Sequence, residues 1–303
     1  MKTLAAAASV LLGAVAGVTP QQPNTEVFVA ALSSRLTPAV YGPVVNISRN
    51  DGYDNQPSFT PDGSAILFTS NRDGAQTDIY RYDLATATLH QITDTPESEY
   101  SPIVTPDGAS FSTVRVEADN RQRLWRFDLD GSRPRVVLES VEPVGYHAWI
   151  DGTHLALFVL GAGGGPNTLQ LADTTSGAAQ VITTRIGRSI LNRPGRSTVS
   201  FVSTPSDGRW TVMELDPTSL AVSEITPTVD DNVSQDTAWD PATGRLLMAR
   251  GSQIWGWESP GGWRLLGDLG GFGVRNVTRL AVSPADDADP TRRLAVVGEM
   301  VAR

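Results

Sequence analysis

The sequence predicts an all-β ring of six four-stranded blades, a β-propeller. Three observations predict it. A repeat of about 44 residues runs along the 303-residue chain. Each repeat divides into four short runs of β-branched and aromatic residues separated by Gly, Pro, Asp and Asn. The last repeat lacks two of its runs, and the N-terminal part of the chain supplies them.

The repeat is clearest where Ser58 to Thr93 aligns with Ile103 to Leu138, their Pro-Asp-Gly turns lying 45 residues apart. The turn recurs at Gly63, Gly108, Gly152 and Gly195, and is remodelled at Pro241 and Pro284. The second strand of each unit is the most apolar: AILFTSN from Ala65 to Asn71, then ASFSTVR, HLALFVL, TVSFVST, RLLMARG and RLAVVGE, the last ending at Glu299. The third strands run from DIYRYDL, Asp78 to Leu84, to QIWGWES in the fifth unit. The sixth third strand is EVFVAAL, Glu26 to Leu32, and the sixth fourth strand is GPVVNIS, Gly42 to Ser48. Both chain ends therefore meet in one blade, which hides sheet edges by closing the ring. Six such blades need roughly 264 residues, so a single propeller domain is expected over 17–303.

Ahead of it, Met1 and Lys2 precede an apolar run from Leu4 to Val18 that ends in Ala14-Val15-Ala16, the pattern of a secretory signal peptide over 1–16. The run is shorter than the roughly 20 residues of a membrane span, so a protein without stable membrane insertion after cleavage, periplasmic or secreted, is expected. Composition excludes several functions. The net charge of -9 argues against nucleic-acid binding, which needs a basic surface. The absence of cysteine removes disulfides, thiol nucleophiles and thiolate metal sites. Lys2 is the only lysine, so the mature chain has none to act as Schiff base or phosphate clamp. There is no Gly-x-Ser-x-Gly elbow, His-Glu-x-x-His motif or phosphate loop.

The segment DNQPSFTPDGSAILFTSNRDGAQTDIYRYDL, Asp54 to Leu84, resembles the TolB-type propeller repeat, whose units read Asp-x-x-Pro-x-Trp-Ser-Pro-Asp-Gly, an apolar strand, Ser-x-Arg-Asp-Gly and Ile-Tyr. The second unit keeps the frame with Glu99, Pro102, Pro106, Asp107 and Gly108, Glu99 standing in the place of Asp54. The resemblance covers the propeller alone. It implies a six-bladed ring and an exported binding protein, without the additional N-terminal α/β domain of TolB.

In a propeller the innermost strands line a central channel, and the loops leading into them form one face where ligands bind. The lead-in segments gather Asp51, Asp54, Glu97, Glu99, Asp230, Asp231 and Asp236 with Arg185, Arg188 and Arg275. The candidate partner-binding set is Asp54, Asn55, Glu99, Tyr100, Tyr146, His147, Arg188, Asp236 and Arg275. No catalytic residue is assigned. Such a rim suits a cationic partner or a hard cation such as Ca2+ held through oxygen atoms; no other cofactor is expected. Of the three histidines, His147 is expected at the channel rim and His154 within its sheet, the two near one another by antiparallel pairing. The reading with most support is a monomeric, non-enzymatic scaffold for a protein or peptide partner in the cell envelope. The alternative is a metal-assisted lyase or hydrolase acting on saccharides, with His147 and rim carboxylates converging on one ion.

Overall fold

A strand that is apolar on both faces must be covered on both sides, and Ala65–Ser70 is such a run. In the computed structural model it is β4, buried at every residue. It lies between β3 (Asp54–Phe59) and β5 (Asp78–Asp83), with β6 (Thr88–Gln91) outermost. The structure describes residues 23–32, 40–74, 76–229, 235–284 and 292–300. The leader expected over 1–16 lies outside them, as do Asp230 and Asp231.

The same four-stranded antiparallel sheet recurs. The second blade contains β7 (Ser98–Val104), β8 (Ser110–Val116), β9 (Gln122–Asp128) and β10 (Arg135–Val136). The third contains β11 (Val144–Trp149), β12 (His154–Val159), β13 (Thr168–Asp173) and β14 (Ala179–Thr184). The fourth contains β15 (Ile186–Asn192), β16 (Val199–Ser203), β17 (Thr211–Leu215) and β18 (Val222–Pro227). The fifth contains β19 (Thr237–Trp239), β20 (Leu246–Arg250), β21 (Gln253–Glu258) and β22 (Gly262–Asp268).

The sixth blade is composite. β1 (Glu26–Leu32) and β2 (Val40–Asn46) join β23 (Val274–Val282) and β24 (Arg292–Met300) in the order β2, β1, β24, β23. β1 pairs with β24 from Glu26 opposite Gly298 to Leu32 opposite Arg292 without a break. The expected closure by both chain ends is therefore the observed one, with β2 beginning two residues earlier than GPVVNIS suggests.

The apolar core is divided into six layers, one between each pair of consecutive blades. Strand alternation produces this division, since successive side chains point to opposite faces of a sheet. Along β24, Leu294 and Val296 pack toward the fifth blade, whereas Ala295 and Val297 pack toward the first. Phe28 and Val29 divide in the same way on β1. The Pro-Asp-Gly turns are scaffold: Asp62 accepts from the Thr60 hydroxyl at 2.6 Å and from the Ser64 amide at 3.1 Å, while Gly63 takes the left-handed conformation at φ 68°. Thr105, Asp107 and Gly108 repeat the arrangement. Among the described residues no helix is long and apolar enough to cross a membrane.

Candidate functional site

The six innermost strands β3, β7, β11, β15, β19 and β23 place equivalent residues around the axis. Counting three residues back from the last residue of each gives Gln56, Ser101, Tyr146, Ser189, Asp236 and Arg279. Three of these, Tyr146, Asp236 and Arg279, meet in one polar cluster with Arg188, the residue before Ser189.

Asp236 is its centre. Arg188 grips both carboxylate oxygens, its Nε donating to Oδ1 at 3.0 Å and its Nη2 to Oδ2 at 2.5 Å. Arg279 Nη1 donates to Oδ1 at 2.8 Å. The second nitrogen of Arg279, Nη2, donates to the Tyr146 hydroxyl at 2.6 Å, and its Nε donates to Asn55 Oδ1 at 3.3 Å. The guanidinium also lies 4.8 Å from the centroid of the Tyr146 ring, a cation–π contact. Arg188 Nη2 reaches the Thr278 carbonyl at 3.3 Å. Side chains from the first, third, fourth, fifth and sixth blades therefore converge on the axis.

A tyrosine shelf adjoins the cluster. Tyr53, just before β3, accepts from Gln56 Nε2 at 3.1 Å and packs edge-on against Tyr100, with ring centroids 6.5 Å apart.

The electrostatics follow from two arginines sharing one carboxylate. Burial acts to raise the Asp236 pKa, but Arg188 and Arg279 outweigh it and hold the group below its ordinary value. Burial acts to raise Tyr146 as well, and the same two arginines outweigh it, leaving its phenol below the usual range. Tyr53 moves the other way, raised chiefly by burial and then by Tyr146. With both phenols neutral, the Arg188, Arg279 and Asp236 cluster carries one net positive charge.

Of the residues expected to form the site, Asn55, Tyr146, Arg188 and Asp236 come together here, and Tyr100 stands on the adjoining shelf. Arg275 is exposed at the start of β23, four residues ahead of Arg279.

Three residues lie elsewhere. Asp54 is fully buried, and its partner Arg72 (3.4 Å) also donates to the Ser48 carbonyl of the sixth blade at 2.8 Å. Burial raises Asp54 to about 6 despite bonds to Ser70 and Arg72. Glu99 is fully buried too; Thr95 and Thr93 donate to it at 2.6 and 3.2 Å, and Arg115 Nε lies 3.2 Å away. Its pKa is pushed up to about 7 by burial, with Asp78 adding to the rise. Glu99 ties the second blade to the segment that follows β6 of the first, and Asp54, through Arg72, ties the first blade to the sixth.

His147 departs furthest from the expected rim position. Its neighbour Tyr146 faces the axis, so alternation turns His147 into the layer between the second and third blades, where it is 3% exposed. His147 Nε2 lies 2.6 Å from Ser112 Oγ, which accepts from Trp149 Nε1 at 2.8 Å and donates to the Ile103 carbonyl at 3.3 Å. The layer is structural, since Trp239 and Ser200 repeat the tryptophan–serine bond at 2.8 Å between the fourth and fifth blades. His154 is not its neighbour: His147 stands opposite Leu157, and His154 is an exposed side chain bonded to Asp151. Among the described residues no group of three or more His, Asp or Glu side chains is placed to hold a metal ion.

The residues that the sequence reading missed are Arg279, Tyr53 and Gln56. Position relative to the strand end, rather than to the preceding loop, is the signal that finds Arg279 and Gln56.

No protein-family profile matches the chain, and no curated protein sequence does. Solved structures do match in fold. A putative TolB from Agrobacterium tumefaciens superposes with a TM-score of 0.68 at 16% identity, covering 92% of this chain and 100% of that one. TolB from Acinetobacter baumannii gives 0.57 at 16% identity over 89% of this chain, which spans only 63% of that protein. An oligogalacturonate lyase in complex with manganese gives 0.52 at 19% identity, covering 88% and 81% of the two chains. The chain thus has the TolB-like six-bladed propeller fold, and at these identities the likeness is one of fold alone.

Proposed function

We propose that this propeller is a non-catalytic scaffold, working as a monomer outside the cytoplasm, that receives a protein or peptide partner of the cell envelope at the mouth of its central channel. The observation that carries the reading is the axial cluster. Five blades contribute side chains to one cross-linked polar floor, and a rigid surface of this kind loses little entropy when a partner orders against it. Tyr53 and Tyr100 beside it are half-buried aromatics of the type that anchors protein contacts.

Two further features favour binding over chemistry. The serine–histidine pair, Ser112 and His147, is sealed in an inter-blade layer, and burial holds the histidine pKa at about 3, far below the basicity a general base needs at neutral pH. His147 is also remote from the role the saccharide lyase or hydrolase alternative requires, convergence with rim carboxylates on one ion.

Selection of displayed peptides on the purified protein tests the proposal. Selected peptides should lose binding to Tyr53→Ala and Tyr146→Ala variants and keep it with Arg135→Ala on an outer strand. Peptides indifferent to both channel substitutions would overturn it.

A further inference from the structure

The axial cluster has more to give than it uses internally. Arg188 Nη1 makes no hydrogen bond among the described residues, and Arg279 uses three of its five N–H groups. The Tyr146 hydroxyl accepts from Arg279, and the Tyr53 hydroxyl accepts from Gln56, so each has its own proton to donate. The acceptors of Asp236 and Asn55 are occupied, whereas Gln56 Oε1 is buried without a hydrogen-bond partner among the described residues. Both oxygens of Asp236 are engaged by arginine, and Asn55 Oδ1 accepts from Arg279 and from the Gln56 amide at 2.9 Å. Donors therefore outnumber free acceptors in the cluster, and among the described residues Arg188, Arg279 and Asp236 together leave one positive charge without a partner.

We propose that this floor is an anion site for a carboxylate, which enters between Arg188, Arg279, Tyr53 and Tyr146 and accepts their outward N–H and O–H groups. The proposal rests on the peptide-binding reading, so the carboxylate is a peptide's, from its C-terminus or from an Asp or Glu side chain.

Charge selects the ligand class. Two largely buried guanidinium groups sharing one carboxylate are an incomplete pairing, because a buried charge is costly unless matched. One carboxylate completes it. A phosphate monoester, at about -1.5 to -2, would overshoot, and a metal cation would meet the positive side of the cluster with Asp236 already occupied. Planar guanidinium edges also match a carboxylate in shape. The lowered phenol of Tyr146 agrees, since excess positive charge favours its anion.

The test uses the full purified chain, three peptides and sodium acetate. The peptides share one sequence of neutral residues: a free acid, its C-terminal amide, and the amide with one internal Asp. Calorimetric titration should find at least one carboxylate-bearing peptide bound about tenfold or more tighter than the neutral amide. Arg279→Gln should erase that difference. Where this variant does not fold, Tyr146→Phe removes one donor and leaves both ion pairs, and should reduce the preference by about threefold or more. The free acid and the Asp-bearing amide separate the two sources of the carboxylate.

Equal binding of all three peptides at the channel would overturn the carboxylate site and leave the peptide reading standing. Acetate binding that requires Arg279, seen by carboxyl carbon resonance and accompanied by no peptide binding, would support the anion site and overturn the peptide reading. Binding by no probe would overturn both.

Discussion

Arg279 of the sixth blade donates to the hydroxyl of Tyr146 on the third at 2.6 Å, a hydrogen bond that crosses the axis between opposite sides of the ring. Its geometry ties the ionisation of Tyr146 to the charge of Arg279. Tyr146 faces Arg279, Arg188, Asp236 and Tyr53, and the two arginines dominate the balance.

One tyrosine should therefore titrate below the usual phenol value of about 10. Absorbance titration of phenolate should show this early ionisation in the native protein and lose it in Tyr146→Phe. Arg279→Gln should move it upward, because one of the two stabilising cations is gone. Saturating acetate should move it upward as well, since a bound carboxylate consumes the same positive charge. A native protein whose tyrosines all ionise at or above the ordinary value would contradict the electrostatic description of the channel.

His147 gives a separate acid signature. Burial holds its pKa at about 3 against an ordinary 6.5. The unfolded chain takes up this proton below pH 6.5 and the folded chain does not, so stability is complete above 6.5 and declines as pH falls toward 3. The slope approaches about 1.4 kcal/mol per pH unit for one group. A His147→Asn variant, whose side chain does not titrate, should start less stable at pH 7 and lose less on acidification. Urea unfolding of both proteins at pH 7, 6, 5 and 4 measures the difference; parallel loss would show that His147 is not desolvated as described.

The contrast between Tyr146 and His147 also shows what could be read from the sequence. Turn residues and strand runs are local signals, and they located the blades and the split sixth sheet. The direction of a side chain at the start of an innermost strand is not local. Register irregularities interrupt these strands, between Val144 and Tyr146 in β11 and between Arg275 and Arg279 in β23, and a bulge of this kind re-aims the residues after it. Reading forward from the loop thus selected Arg275, which is exposed, and passed over Arg279. Asp54 and Glu99 share a motif position, and their common role as inter-blade ties is what the repeat preserves.

Glu99 should make the protein more stable when neutral. Its folded pKa of about 7 lies above the ordinary 4.5 because burial disfavours the charged form and Asp78 stands beside it. The folded chain therefore holds a proton that the unfolded chain releases between pH 4.5 and 7. The stabilisation from this proton is complete below 4.5 and is lost as pH rises through 7, on the order of 3 kcal/mol. Glu99→Gln keeps an oxygen acceptor for one of the two threonines, Thr95 or Thr93, which bond separate carboxylate oxygens, and cannot ionise. Its stability relative to the native protein should rise from pH 5 to pH 8, and a constant offset across that interval would refute the assignment.

Ring closure makes the sixth blade responsible for two core layers at once. Phe28 and Leu32 of β1 fill the layer against the fifth blade, and Val27 and Val29 fill the one against the first. Phe28 is 1% exposed, and its truncation leaves a cavity that neighbouring strands cannot collapse into without breaking the seven-residue pairing with β24. Phe28→Ala should cost about 3–5 kcal/mol, against a change within about 0.5 kcal/mol for Leu129→Ala at an exposed turn. Amide exchange separates local from global consequences. If the ring is one cooperative unit, β4 in the first blade and β20 in the fifth lose protection together with β24. Loss confined to β1, β2 and β24 would mean that the other five blades hold their arc without the closure.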